Sequence, residues 1–225
     1  MASVKDNLLK VQEEIIGTIG HCNINIIAIT KYFGEDKLIE AYGAGIRDFG
    51  ESRVIEALDK ISKLPSEIRE NSRFHLIGHL QTNKISKAVG KFDLIHSIDS
   101  LRLANEVSKV ALNKGIIQKI LLQVNNAGEE QKSGFSIEEL FSNFAEVQKL
   151  KGIDIVGLMN IAPLRADKTE LKKLFKEVIE IRNKLEKDFN CELKEISMGM
   201  SNDYIEAVSV GATMIRLGKK LFTNE

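Results

Sequence analysis

Ile24-Asn25-Ile26-Ile27-Ala28-Ile29-Thr30-Lys31 is an apolar, largely β-branched run closed by a single charge. Residues of this kind suit a pleated surface covered on both faces, so the run reads as a buried strand with Lys31 at its exit. A lysine at that point can simply solvate the strand's end. It can also be the covalent anchor of a carbonyl-bearing cofactor.

Seven further short runs share this character, near residues 46–50, 73–78, 94–97, 119–125, 153–159, 192–197 and 213–217. Helical patterns fill the intervals at 36–42, 53–63, 82–89, 101–113, 137–150, 168–188 and 202–209, several preceded by a serine or aspartate suited to capping. Another helix, over 4–16, comes before the first strand, with Leu8, Leu9, Val11, Ile15 and Ile16 on its apolar side. Each crossover is too long for a hairpin, which makes the strands parallel. Parallel strands with helical crossovers form either an open doubly wound sheet, with its ligand at a switch in strand order, or a closed barrel. A count of eight favours closure. The chain is therefore read as α/β, a single (β/α)8 TIM barrel domain over residues 1–225 with an extra N-terminal helix. No linker rich in Pro, Gly or Ser divides it, and Pro65 and Pro163 both fall in loops.

Charge narrows the function. The 32 basic and 32 acidic residues balance and are scattered, which argues against a nucleic-acid partner. No apolar stretch approaches the ~20 residues that span a bilayer, and residues 1–6 lack a signal-peptide pattern, so a cytoplasmic protein with no membrane partner is expected. Cys22 and Cys191 each precede a strand and are read as reduced bystanders, with no metal site.

In a barrel, the C-terminal strand ends share one rim, and polar or glycine-rich segments fall there repeatedly: Lys31, Phe49-Gly50-Glu51-Ser52, His75 through Gln81, His96-Ser97-Ile98-Asp99, Gln123-Val124-Asn125, Gly157-Leu158-Met159 and Ser197 through Ser201. Phosphate sites in this fold often use the loops after strands seven and eight. There Gly199 and Gly218 let the backbone approach closely, and Ser201 can cap the helix starting near Asn202 and donate to a phosphate. Arg216 ends a strand between apolar neighbours, so its charge needs a partner at the rim, whether a salt bridge or a ligand. An amine, a phosphate cradle and an arginine together suggest pyridoxal 5′-phosphate (PLP).

The segments Ala28-Ile29-Thr30-Lys31, Arg47-Asp48-Phe49-Gly50-Glu51, His75 through Lys84, His96-Ser97-Ile98-Asp99-Ser100, Gln123-Val124-Asn125 through Lys132-Ser133-Gly134, Gly157-Leu158-Met159 and Ser197 through Ser201 occur in order along nearly the whole chain. In these the chain resembles the pyridoxal phosphate homeostasis protein family, also called the YggS or proline-synthase co-transcribed family. The resemblance implies a Schiff base between PLP and Lys31. It implies phosphate held by Ser201 and the backbone near Met200, Gly218 and Lys219, and Arg216 facing the pyridine nitrogen as in the related barrel of alanine racemase. Ser52, Phe74 and the segment 221–225 depart from the usual pattern, and Ser52 puts in doubt any ring contact that a longer amide would make.

Arginine on the ring nitrogen keeps it neutral and a weak electron sink, so catalysis would lean on well-placed proton-transfer groups. A racemase needs a second base, for which His75, His79, His96 or Tyr204 can be proposed. Three readings follow: a monomeric carrier that holds PLP and passes it to PLP-dependent apoenzymes without substantial catalysis; a single-domain PLP-dependent amino-acid racemase or related enzyme; and a barrel enzyme binding a phosphorylated metabolite, with Lys31 as an electrostatic clamp. The first is preferred.

Overall fold

The computed structural model describes residues 3–129, 133–163 and 165–223. Of the segments quoted above, residues 130–132 and 224–225 lie outside the described residues.

Eight parallel strands close into a barrel in chain order: β1 (Asn25–Ile29), β2 (Asp48–Glu51), β3 (Arg73–Leu76), β4 (Leu94–Ile98), β5 (Gln118–Val124), β6 (Ile153–Asn160), β7 (Glu195–Met200) and β8 (Met214–Leu217). Closure is made by β1 on β8, with Ile27 opposite Arg216 and Ala28 opposite Leu217. The helices are α1 (Val4–Ile19), α2 (Glu35–Gly43), α3 (Val54–Lys63), α4 (Ser66–Glu70), α5 (Ile85–Ala88), α6 (Leu101–Asn113), α7 (Ile137–Gln148), α8 (Lys168–Phe189), α9 (Tyr204–Ser209) and α10 (Lys219–Phe222). Serine and aspartate caps work as expected: Ser3 and Ser136 form capping boxes, Ser100 accepts from Leu103 N–H, and Asp167 accepts from Thr169 and Glu170.

Two apolar clusters divide the interior. The large one fills the layer between sheet and helices, with Phe49, Phe144 and Phe175 fully buried. The small one, Ile27, Ile29, Leu94, Leu121, Met159 and Met214, has partly buried Ile77, Val156 and Ile161 packed against it.

The structure departs from the sequence reading in four places. The stripe of α1 is narrower than expected: Val4, Leu8, Val11 and Ile15 are buried, whereas Leu9 and Ile16 are about half exposed and Asn7 is buried in their stead. The helix expected over 82–89 is a 3-10 turn, Thr82–Lys84, followed by the short α5. Helices α4 and α10 are additional. Strand β7 begins three residues later than expected and runs through Met200, because Ser197 pairs with Met159 and Met200 with Arg216. What reads as a turn, Ser197 through Met200, is strand.

Candidate functional site

At the C-terminal end of the strands lies a cleft of about 330 Å³ whose lining includes Lys31, Ser52, His79, Gln123, Met200 and Arg216. These six residues, far apart in sequence, thus meet where the sequence reading put the rim.

Lys31 follows β1 by two residues, with its ammonium 4.9 Å from the ring centroid of Tyr32. Its backbone footing is firm. Thr30 N–H donates to Gly50 O (3.1 Å), and Phe33 N–H returns to Thr30 O (2.9 Å). Below, Lys60 donates to both Thr30 O and Glu51 Oε1 at 2.7 Å, and Thr30 Oγ1 donates to the same carboxylate oxygen at 2.6 Å. The ends of β1 and β2 are therefore locked together by a buried ion pair reached from α3.

Arg216 is 4 % exposed. Its Nη1 donates to Ser197 Oγ (2.7 Å) and its Nη2 to the Asn160 carbonyl (2.8 Å), and the guanidinium lines the cleft. Burial pushes its pKa down to about 10, with Asp203 acting in the opposite sense, so it stays charged at neutral pH. The bonding partners are neutral oxygens rather than a carboxylate. This disposes of the salt-bridge alternative and leaves a fixed cationic donor at the cleft.

Ser201 takes a different place from the cap expected of it. Helix α9 starts at Tyr204 with Asp203 at its N-cap, and Ser201 Oγ instead accepts from the N–H groups of Gly218 (3.4 Å) and Lys220 (3.3 Å). These long bonds join the turns after β7 and β8. Lys219 sits between them at the head of α10, exposed. The Asp203 carboxylate accepts from Met200 N–H and fixes the end of β7; burial pushes its pKa up. Gly199, at φ +89°, is crowded, since a Cβ would fall 2.7 Å from that of Ala207. Gly218 is not: a Cβ there meets only Ile29, at 3.6 Å, so the protein's own packing does not require this glycine.

Three of the four side chains considered as a second base are engaged elsewhere. Tyr204 donates to Glu14 of α1, and burial together with that carboxylate pushes its phenol well above the ordinary value. His75 and His96 are not on the rim. They lie inside the barrel, buried and bonded to each other (2.9 Å). His79 does line the cleft, with Nδ1 3.2 Å from Asp99 Oδ2. Sequence reasoning missed Ser197 and Asn160 as partners of Arg216 and Lys60 as the support under Thr30. The alternation of Ser197 with buried Ile196 and Met198 was the available signal for the first.

Among the described residues, no group of three or more His, Cys, Asp or Glu side chains is placed to hold a metal, and no helix is long and apolar enough to cross a membrane. The cleft itself holds an amine and a guanidinium, and the Ser201 hydroxyl with the N–H groups of Gly218 and Lys220, bonded to one another, lies in the turns after β7 and β8 rather than in its lining. That chemistry suits an anionic ligand carrying an electrophilic carbon.

Comparison with known proteins agrees with this. The profile of the family described as "Alanine racemase, N-terminal domain" matches residues 2–224. The pyridoxal phosphate homeostasis protein of Synechocystis is 40 % identical over 212 residues, 94 % of this chain and 96 % of its own. The human protein of that name is 35 % identical over 207 residues, 88 % of this chain and 75 % of its own. PipY of Synechococcus elongatus, solved with PLP bound, is 35 % identical and superposes with a TM-score of 0.86, covering 97 % of this chain and 99 % of its own. By profile and by relatives alike, this chain belongs to the alanine racemase N-terminal domain family, among the proteins called pyridoxal phosphate homeostasis proteins.

Proposed function

We propose that the chain binds PLP and serves its homeostasis, holding the cofactor reversibly on Lys31 and releasing it to PLP-dependent apoenzymes. The observation that carries this reading is the meeting of Lys31 and Arg216 in one cleft beside the Ser201 turn. The residues fit the group. PLP brings an aldehyde that a lysine amine can attack with loss of water. Lys31 supplies that amine on a backbone held by Lys60 and Glu51. Arg216, a donor with no proton to accept, faces the ring nitrogen and keeps it unprotonated. Ser201, with the backbone of Met200, Gly218 and Lys219, retains the phosphate; Gly218 leaves room there that packing does not demand.

The reading is of a carrier rather than an enzyme, acting as a monomer in the cytoplasm. It draws support from the engagement of Tyr204, His75 and His96 away from the cleft. One observation favours the alternative of a PLP-dependent racemase, namely His79 in the cleft on Asp99. Borohydride reduction of PLP-loaded protein followed by peptide mass analysis tests the attachment: the adduct falls on Lys31 and is absent in Lys31→Ala. α-Proton exchange into L- and D-amino acids in deuterated buffer tests the rest. Exchange that depends on both Lys31 and His79 would make the barrel an enzyme; none above the Lys31→Ala control supports a carrier.

A further inference from the structure

Six polar side chains cross the barrel interior without a break. Arg216 Nη1 donates to Ser197 Oγ (2.7 Å), which lies 3.0 Å from His96 Nδ1; His96 Nε2 lies 2.9 Å from His75 Nδ1; and His75 Nε2 lies 2.9 Å from Asp48 Oδ1. Arg73 closes the row with two bonds to the Asp48 carboxylate, at 2.8 and 2.6 Å. The four middle members and Arg216 are at most 4 % exposed. The row has two different ends. Arg216 lines the C-terminal cleft, while Asp48, His75 and Arg73 line a larger cavity of about 810 Å³ at the opposite mouth of the barrel.

The chemistry of those ends fixes the direction of every bond between them. Arginine only donates, so Ser197 Oγ accepts from it, and the serine's own proton must go to His96 Nδ1. His96 is neutral, its pKa held well below the ordinary value by burial above all, with the Arg216 charge acting in the same sense, so its one proton sits on Nε2 and goes to His75 Nδ1. His75 then carries a proton on Nε2 for Asp48. That carboxylate accepts only; burial raises its pKa, but the bonds from His75 and Arg73 outweigh this and hold it low. The reverse order, with His75 doubly protonated and His96 protonated on Nδ1, would send two donors into Ser197 Oγ and strand the serine's proton in a fully buried site.

We propose that Asp48, His75, His96 and Ser197 form a one-way hydrogen-bond relay that holds Arg216 as a fixed donor toward the cofactor's ring nitrogen, so that the ring's environment is set from the opposite mouth of the barrel. The four are positioning residues, acting through Arg216, and the proposal rests on the PLP reading given above for its ligand. Both ends impose the same direction, Asp48 by accepting only and Arg216, through Ser197, by donating only. An asparagine at 48 keeps the shape and removes the charge without turning the row round, because its amide oxygen still accepts from His75 and Arg73 Nε and the Ser197 proton still needs His96 Nδ1.

Long-range ¹⁵N–¹H correlation spectra of the imidazoles, in the full-length protein, test the direction. In the native sequence both His75 and His96 should show the Nε2–H tautomer, and both should keep it in Asp48→Asn, where Ser197 still hands its proton to His96 Nδ1. With PLP labelled at the ring nitrogen, the ¹⁵N resonance of the bound ring should move beyond its native linewidth in Asp48→Asn and in Ser197→Ala, while the borohydride adduct on Lys31 persists. An Nδ1–H tautomer in the native protein overturns the proposal, as does a ring resonance unmoved in both variants. Absence of any adduct on Lys31 in the native protein overturns the PLP reading and the ring consequence with it, and the tautomers still decide the direction of the relay.

Discussion

The ammonium of Lys60 lies 2.7 Å from the Glu51 carboxylate, the side chains 12 % and 4 % exposed, and the same ammonium reaches the carbonyl of the residue before Lys31. A pair this far from water is more a matter of placement than of stability. Its two desolvation costs roughly offset its attraction, yet removing one partner strands the other.

Lys60→Met should therefore destabilise the fold by about 3–5 kcal/mol, as read from urea unfolding, because the Glu51 charge is left buried. The double variant Lys60→Met, Glu51→Gln should recover most of this. Trapping of PLP on Lys31 should fall in the single variant, since Thr30 O keeps only the Phe33 N–H of its two donors; full trapping in an equally destabilised protein would detach the pair from the site.

Acid should weaken the fold earlier than carboxylate titration alone would make it. His96 takes up its proton near pH 6.5 when unfolded and only well below that when folded. Its depressed folded value means that stability is whole above about pH 6.5 and is lost as pH falls below it, by up to about 1.4 kcal/mol per pH unit. Unfolding midpoints from pH 8 to pH 5 should show this decline, and His96→Gln should flatten it. Asp48, whose pKa is held down, adds a second loss only below about pH 4.

Ser201→Ala should leave attachment to Lys31 intact and weaken PLP retention by about 1–3 kcal/mol, measured as the rate of loss on dialysis. Retention equal to the native protein's would remove that hydroxyl from the phosphate site.

Two glycines should respond in opposite ways. A Cβ at Gly157 would fall 1.7 Å from the Glu195 carbonyl oxygen across the β6–β7 seam, so Gly157→Ala should cost about 3 kcal/mol or prevent folding. Gly218→Ala should leave the melting temperature near its native value and lower PLP retention. A drop in melting temperature there would mean that the fold, not the ligand, needs the glycine.

What could be read from the sequence follows the range of the forces involved. The β1 run and its closing Lys31 are local, as are the Ser136 and Asp167 caps, and eight such punctuated units imply the barrel. Arg216 stood out as one charge among apolar neighbours. Its partner Ser197 did not, because the bond depends on how β7 and β8 slide past each other, with a register shift between Ser197 and Met200. Likewise His96 reaches Ser197 across 101 residues, a contact that no spacing rule encodes, so both histidines of the relay were placed on the rim. The misreading of Leu9 and Ile16 has a simpler cause. The periodicity of α1 gives the direction of its apolar face, but its width is set by α2, α9 and α10.

That first helix also bears on how the protein is made. Its Asn7 side chain donates to Leu221 and Thr223 carbonyls, a closure across 214 residues in the first case, and its stripe packs beside α9 and α10. During synthesis Val4, Leu8, Val11 and Ile15 emerge long before α9 and α10, so a nascent chain carries a partly uncovered apolar strip until the last strands of the barrel have been made. The turns after β7 and β8 leave the ribosome after the other six strands of the barrel. With the phosphate proposed to sit on those turns, a chain lacking them should not hold the cofactor, and its capture would mark a barrel that has closed.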